Sequence, residues 1–106
     1  MKKSLFSDIP RSMPEEMIEV LCQSEEMWIE RIISRGHSSP PDFWYDQEDN
    51  EFILLVKGGA CLKIEGKPKP VVLEEGDWLD IKAHVKHRVE WTSPDQDTIW
   101  LAVYYQ

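Results

Sequence analysis

Oxygen-bearing side chains and aromatic rings are concentrated in one short stretch, 42-DFWYDQEDNE-51, which directly precedes the apolar run 52-FILLVKGG-59. Carboxylates and amides can coordinate metals or exchange protons, and aromatic rings commonly line ligand pockets. A surface loop does not need so many aromatic residues, and a hydrophobic core disfavours carboxylates. The stretch is therefore a candidate wall of a functional cavity.

His87 is the histidine best suited to act with this stretch. In 86-KHRVEWT-92, strand alternation places His87, Val89 and Trp91 on one face and Arg88 and Glu90 on the other. His87 therefore belongs to the apolar, inward face, while its charged neighbours face solvent.

Short strands must position these residues. Turn signals rich in Gly, Pro and Asp separate runs at 27–35, 43–46, 51–57, 60–65, 70–74, 77–81, 86–92 and 98–105. Regular spacing of this kind is typical of an all-β sandwich or barrel. Before the strands, 14-PEEMIEVLCQSEE-26 has apolar residues at helical spacing and predicts one short amphipathic N-terminal α-helix. We expect residues 1–27 to carry this helix and residues 28–106 to form the barrel, within one domain overall.

Composition limits the classes of partner. The 106 residues contain 42% hydrophobic and 30% charged side chains, which fits one globular domain. A formal net charge of −8 argues against nucleic acid and against an anionic membrane surface. No apolar run reaches the length of a membrane span, and the N-terminus lacks a secretion signal. Cys22 and Cys61 have neither metal nor redox spacing, so we expect reduced thiols in a cytoplasmic protein.

Two predicted strands, 51–57 and 98–105, are apolar on both faces. A small sandwich cannot easily bury both sides of its sheets by itself. The pattern predicts cover by the N-terminal segment, by a second sheet or by a second copy of the chain, and it makes a homodimer the expected assembly.

The spacing of several residues resembles a known family. Glu51 is followed after six residues by Gly58, and Gly76-Asp77 begins a strand that is followed by His87. These two patterns resemble the first and second motifs of the cupins, and the resemblance covers roughly residues 28 to 105. It implies a small single-domain cupin with a jelly-roll β-barrel.

The resemblance also implies a location for a metal. Cupins usually hold a metal with His-x-His and Glu from the first motif and His from the second, and Glu51 and His87 match the last two. The His-x-His position falls at Tyr45 and Gln47 or at Trp44 and Asp46, and neither pair contains histidine.

A mixed ligand set would then consist of Gln47, Glu51 and His87, with a further oxygen from Tyr45 or Asp46. Such oxygen and nitrogen ligands suit a divalent metal such as manganese, iron, nickel or zinc. The alternative is that Glu51 and His87 form a hydrogen bond with each other in a polar pocket without metal.

Other residues are candidates for the pocket itself. His84 lies in a loop close to His87 and is a candidate general acid or base, or else a solvated side chain. Trp44, Tyr45 and Trp91 are candidates to line a cavity for a flat or sugar-like ligand, or else to pack in the core. Trp78 and Trp100 are expected in the core.

Two functions follow from this sequence. One is a metal-dependent cupin enzyme, dioxygenase- or isomerase-like, acting on a small molecule in the barrel. The alternative is a metal-free, non-catalytic cupin that binds or senses a small molecule. The fold does not choose between them.

Overall fold

The computed structural model describes residues 2–106, which form eight β-strands and no helix. None of the described residues belongs to a helix long and apolar enough to cross a membrane. The strands are β1 (Met17–Gln23), β2 (Met27–Ser34), β3 (Asn50–Lys57), β4 (Ala60–Ile64), β5 (Val71–Leu73), β6 (Trp78–Ile81), β7 (His87–Thr92) and β8 (Thr98–Tyr105).

The strands form two antiparallel sheets. A large sheet has the order β1-β2-β8-β3-β6, and a small sheet has the order β5-β4-β7. Alternate residues of the strands meet between the sheets in one hydrophobic cluster, because side chains along a strand point to opposite faces. The buried members are Ile53, Leu55, Ala60, Leu62, Leu73, Ile81 and Trp100. The predicted all-β jelly-roll architecture is confirmed.

The predicted N-terminal helix does not form, because residues 17–23 are strand β1 at the edge of the large sheet. The ladder with β2 runs from Met17 opposite Ile33 to Gln23 opposite Trp28, with a bulge between Val20 and Cys22. A short apolar run fits both helical and strand periods, and here pairing with β2 supplies the backbone hydrogen bonds. β1 therefore shares a sheet with β2 across the expected boundary at residue 27.

Residues 4–14, which we call the N-terminal arm, contain neither helix nor strand. The Arg31 guanidinium donates hydrogen bonds to the carbonyl oxygens of Leu5, Ser7 and Asp8, over 2.6 to 3.5 Å. Arg35 donates to the carbonyl oxygens of residues 10 and 11. The arm thus lies on the outer face of the large sheet, held by side chains rather than by a strand ladder.

Gly58 begins the turn between β3 and β4 with a φ of 95°. A Cβ atom at this position would lie 2.7 Å from the Cα of Thr98, which is too close for a side chain. The glycine of the Glu51–Gly58 spacing is therefore required both by its left-handed backbone and by the approach of β8.

The two tryptophans that we expected in the core differ in burial. Trp100 is 2% exposed and belongs to the core. Trp78 is 59% exposed on the outer face of the large sheet, where its ring stacks on Phe52 at 5.3 Å. The core assignment of Trp78 is wrong, because the inward face of β6 holds Leu79 and Ile81 instead.

Candidate functional site

Glu51 and His87 come from opposite sheets and meet between them. Glu51 lies near the start of β3, and His87 is the first residue of β7. His87 Nε2 donates a hydrogen bond to Glu51 Oε1 at 3.1 Å, and the two residues are 6% and 5% exposed. Two side chains far apart in sequence thus form a buried acid–base pair.

Tyr104 completes this polar group. It is the residue of β8 directly opposite Glu51 in the ladder, and its hydroxyl donates to Glu51 Oε2 at 3.1 Å. Both carboxylate oxygens therefore accept a hydrogen bond. Burial, and then the negative charges of Glu51 and Glu30, raise the pKa of Tyr104, so this hydroxyl keeps its proton and remains a donor.

The protonation of His87 follows from its second hydrogen bond. Its Nδ1 lies 3.0 Å from the carbonyl oxygen of Val85, which can only accept, so Nδ1 carries a proton. Burial lowers the pKa of His87, but the hydrogen bonds to Glu51 and Val85 and the charge of Glu51 outweigh it and raise this pKa overall. The site therefore favours the protonated imidazolium form of His87.

The segment that carries Tyr45 and Gln47 joins the small sheet through one bridge. Tyr45 N donates to His87 O at 2.7 Å, and His87 N donates to Tyr45 O at 3.1 Å. The Tyr45 ring stacks on the His87 ring with a centroid distance of 5.4 Å. Of the two alternatives from the sequence, Tyr45 and Gln47 face inward, while Trp44 and Asp46 face away.

These polar groups border an open space of two parts. The inner cavity has a volume of about 70 Å³ and is closed mainly by aliphatic and aromatic side chains. A wider hollow of about 450 Å³, which we call the mouth, adjoins it and shares Ile18, Tyr45, Gln47 and Tyr104 with it. The apolar wall of the inner cavity consists of Ile32, Ile53, Leu62, Val89 and Trp100. The mouth adds Trp28, Glu30, Glu48 and Asp49.

Several predicted pocket residues lie elsewhere. Trp91 is 49% exposed, because a bulge between its partner Cys61 and Leu62 reverses the alternation of β7 after Val89. Trp44 does not line the cavity or the mouth, and the Lys63 ammonium lies over its ring at 5.8 Å. Neither tryptophan is brought to the pocket.

His84 and Asp46 pair with each other outside the cavity. Their side chains are exposed, and His84 Nδ1 lies 2.8 Å from Asp46 Oδ1. The backbone at His84 has a φ of 64°, and its N–H donates to the carbonyl oxygen of Gln47. His84 thus fixes the backbone beside the pocket, whereas the general acid or base role stays a prediction.

The predicted metal ligands Gln47, Glu51 and His87 all line the inner cavity. Only one of them is an imidazole, and both oxygens of Glu51 are already engaged. Among residues 2–106, no three His, Cys, Asp or Glu side chains are grouped to hold a metal ion. Transition metals bind most tightly to several nitrogen or sulfur ligands, so this donor set does not fit a tightly held one.

Sequence reasoning missed Tyr104, Glu30 and Trp28. Tyr104 lies in a strand that is apolar on both faces, so nothing in its own pattern marked it as a partner of Glu51. The register of β8 against β3 creates that partnership. Trp28 Nε1 donates to Glu30 Oε2 at 3.1 Å, and the Trp28 ring stacks on Tyr104 at 4.7 Å.

Comparison with known proteins agrees with this architecture. The family model described as "Cupin domain" matches residues 30–104. A crystal structure from Ralstonia eutropha JMP134, named "putative mannose-6-phosphate isomerase", is 42% identical with a TM-score of 0.96, and the match covers 100% of this chain and 98% of that one.

Two further structures show the fold alone. An RmlC-like cupin from Desulfovibrio desulfuricans is 17% identical with a TM-score of 0.76, covering 99% of this chain and 96% of that one. An RmlC-like cupin with a double-stranded β-helix from Methanocaldococcus jannaschii is 19% identical with a TM-score of 0.70, covering 92% and 86%. A comparison with curated proteins gives no match.

Proposed function

The chain belongs to the cupin domain family, and on that premise we propose that it binds a small organic molecule in the inner cavity without a metal. One observation carries the proposal: the Glu51–His87 pair is buried, hydrogen-bonded and adjacent to open, apolar-walled space. Small-molecule sites are mostly apolar and contain a few polar groups that fix orientation. Here Glu51, His87, Tyr104 and Gln47 are those groups.

A proton-transfer isomerase is the second candidate. A carboxylate that shares a proton with an imidazole can accept a proton from a bound substrate and return it elsewhere. The relative that is 42% identical is also named as a putative isomerase. A sugar phosphate is a poor substrate for this site, however, because the described lining of the cavity and mouth contains no Lys or Arg to bind phosphate.

Ligand binding by matched variants tests the proposal. A panel of small neutral, cationic and anionic compounds would be titrated against the protein while tryptophan fluorescence is followed, since Trp100 lines the cavity and Trp28 the mouth. We expect saturable binding that Glu51→Gln and His87→Gln weaken and that Trp91→Ser, outside the cavity, leaves unchanged. Equal loss in Trp91→Ser would place the binding elsewhere.

Elemental analysis of protein purified without chelators tests the metal-dependent alternative. We expect far less than one metal per chain. One metal per chain that is lost in both Glu51→Gln and His87→Gln would contradict the proposal and favour the ligand set Gln47, Glu51 and His87.

The cytoplasmic location and the homodimer also remain proposals. Exposed apolar side chains such as Trp78, stacked on Phe52, support the homodimer. Light scattering coupled to gel filtration would give the mass in solution, and a monomer at all concentrations would contradict the homodimer.

A further inference from the structure

The ionisable side chains that line the inner cavity and the mouth are predominantly acidic. Five acids line the inner cavity and the mouth, whereas the single base, His87, is already paired with Glu51. Within residues 2–106, neither a lysine nor an arginine lines either space. The acids are Glu16, Glu30, Glu48, Asp49 and Glu51. A potential of this sign attracts cations and repels anions.

The amide oxygen of Gln47, which is unpaired among residues 2–106, gives independent evidence about the functional group of the ligand. Its amide oxygen is buried and accepts no hydrogen bond from any described residue, although the side chain lines both spaces. A buried acceptor without a donor destabilises the folded state, and native proteins rarely leave one. A ligand N–H or O–H would satisfy it, whereas an ionised carboxylate or phosphate group would not.

The mouth offers aromatic and carboxylate surfaces together. The Trp28 ring stacks on Tyr104, and the Trp28 indole N–H holds the Glu30 carboxylate beside them. Burial, and to a smaller extent the charge of Glu51, raise the pKa of Glu30 against the hydrogen bond from Trp28, so a cation beside Glu30 would stabilise its charged form. Rings and carboxylates arranged in this way stabilise ammonium groups through cation–π and ionic contacts.

We propose, on the basis of the cavity-binding function above, that the ligand is a small organic ammonium ion with an apolar body. The apolar body occupies the inner cavity between Ile32, Leu62 and Trp100. The ammonium group lies at the mouth, where its N–H groups donate to Gln47 Oε1 and its charge is balanced by Glu30. His87 stays paired with Glu51 and contributes no counter-charge.

Three probes with one carbon skeleton test this proposal: isopentylamine, isopentyl alcohol and isovalerate, which are cationic, neutral and anionic near neutral pH. Calorimetric titration of each into the full chain gives the affinities. We expect the amine to bind about tenfold more tightly than the alcohol, because one well-placed ionic contact contributes about that factor, and isovalerate to show no binding.

The outcomes separate the two proposals. Binding of the alcohol as tight as that of the amine would overturn the ammonium assignment and leave the cavity-binding function intact. Absence of binding by all three probes would overturn both. Binding of isovalerate in preference to the amine would overturn the ammonium assignment alone.

Single substitutions test which side chains contact the ammonium group of the ligand. Glu30→Gln is expected to weaken the amine about fivefold and to leave the alcohol unchanged, since only the ionic contact is removed. Gln47→Leu is expected to weaken the amine while retaining the fold, because no described residue depends on that oxygen. Glu65→Gln is the control, since it removes the same charge at an exposed residue that lines neither space. If Glu65→Gln weakened amine binding equally, the loss of affinity would come from the change in net charge, and the assignment to Glu30 would be overturned.

Discussion

Arg31 and Glu51 are two buried charges on opposite faces of one sheet. Arg31, in β2, is 3% exposed on the outer face, and Glu51, in β3, is 5% exposed on the inner face. Arg31 donates to three backbone carbonyl oxygens of the N-terminal arm and pairs with Glu19 at 3.1 Å. Glu51 instead pairs with a titratable imidazole and borders open space.

This difference shows how a buried charge with a structural role differs from one at a candidate functional site. Both charges are desolvated and both are compensated, so burial alone does not distinguish them. The partners of Arg31 are peptide carbonyls, which cannot exchange a proton, and the half-exposed Glu19 carboxylate, and Arg31 lines neither the inner cavity nor the mouth. The partners of Glu51 hold exchangeable protons beside a cavity. We therefore propose a structural role for Arg31 and a functional role for Glu51.

Replacing Arg31 tests the structural half of the comparison and should have the largest effect. Arg31→Met removes the contacts that hold the arm and leaves the fold about 3 kcal/mol less stable, as expected for loss of one partner from a buried ionic network. Urea unfolding measures the loss, and limited proteolysis detects release of residues 4–14. Arg35→Met, at a more exposed ion pair with Asp97, should lose about 1 kcal/mol. Loss of ligand binding in Arg31→Met with the fold intact would contradict the division of roles.

Replacing Glu51 tests the functional half. Glu51→Gln keeps the size of the side chain and one acceptor oxygen but removes the partner charge of His87, so we expect about 1–2 kcal/mol of destabilisation. Ligand affinity should fall at least about tenfold, measured by the same fluorescence titration. Unchanged affinity in a folded Glu51→Gln protein would move the site away from this pair.

The pH dependence of stability tests whether His87 is charged. Because its pKa is raised in the folded state, its contribution is complete below the unfolded value of about 6.5 and is lost as pH rises through the folded value. The difference in unfolding free energy between the natural protein and His87→Gln should therefore shrink as pH rises above about 6.5 and through the raised pKa of the folded state. A difference that grows with pH would show that His87 is neutral when folded.

Trp91 should have the smallest effect. The side chain is half exposed beyond the β7 bulge, so Trp91→Ser should change stability by no more than about 0.5 kcal/mol and leave ligand binding intact. Denaturant unfolding and the fluorescence titration check both. A large loss of affinity would mean that the ring reaches the cavity and that the strand alternation continues through the bulge.

Much of the fold could be predicted because strand periodicity is local. The run 51-EFILLVK-57 indicated a strand, and β3 occupies Asn50–Lys57 with Glu51, Ile53 and Leu55 buried. The prediction of an N-terminal helix was wrong because the deciding interaction is not local. Residues 17–23 fit either period, and pairing with β2 decided between them. The inward direction of Trp91 failed at a bulge, which alternation cannot anticipate.

The sequence by itself determined strands β2 to β8, the turn at Gly58 and the two residues, Glu51 and His87, whose spacing resembles cupin motifs. These depend on residue type and on distances along the chain. Only the tertiary structure decided that Tyr104 donates to Glu51, that Gln47 rather than Asp46 faces the cavity, and that the charged residues of the described mouth are all acids. Those facts depend on the register between strands and on the approach of two sheets, which join residues that the sequence keeps far apart.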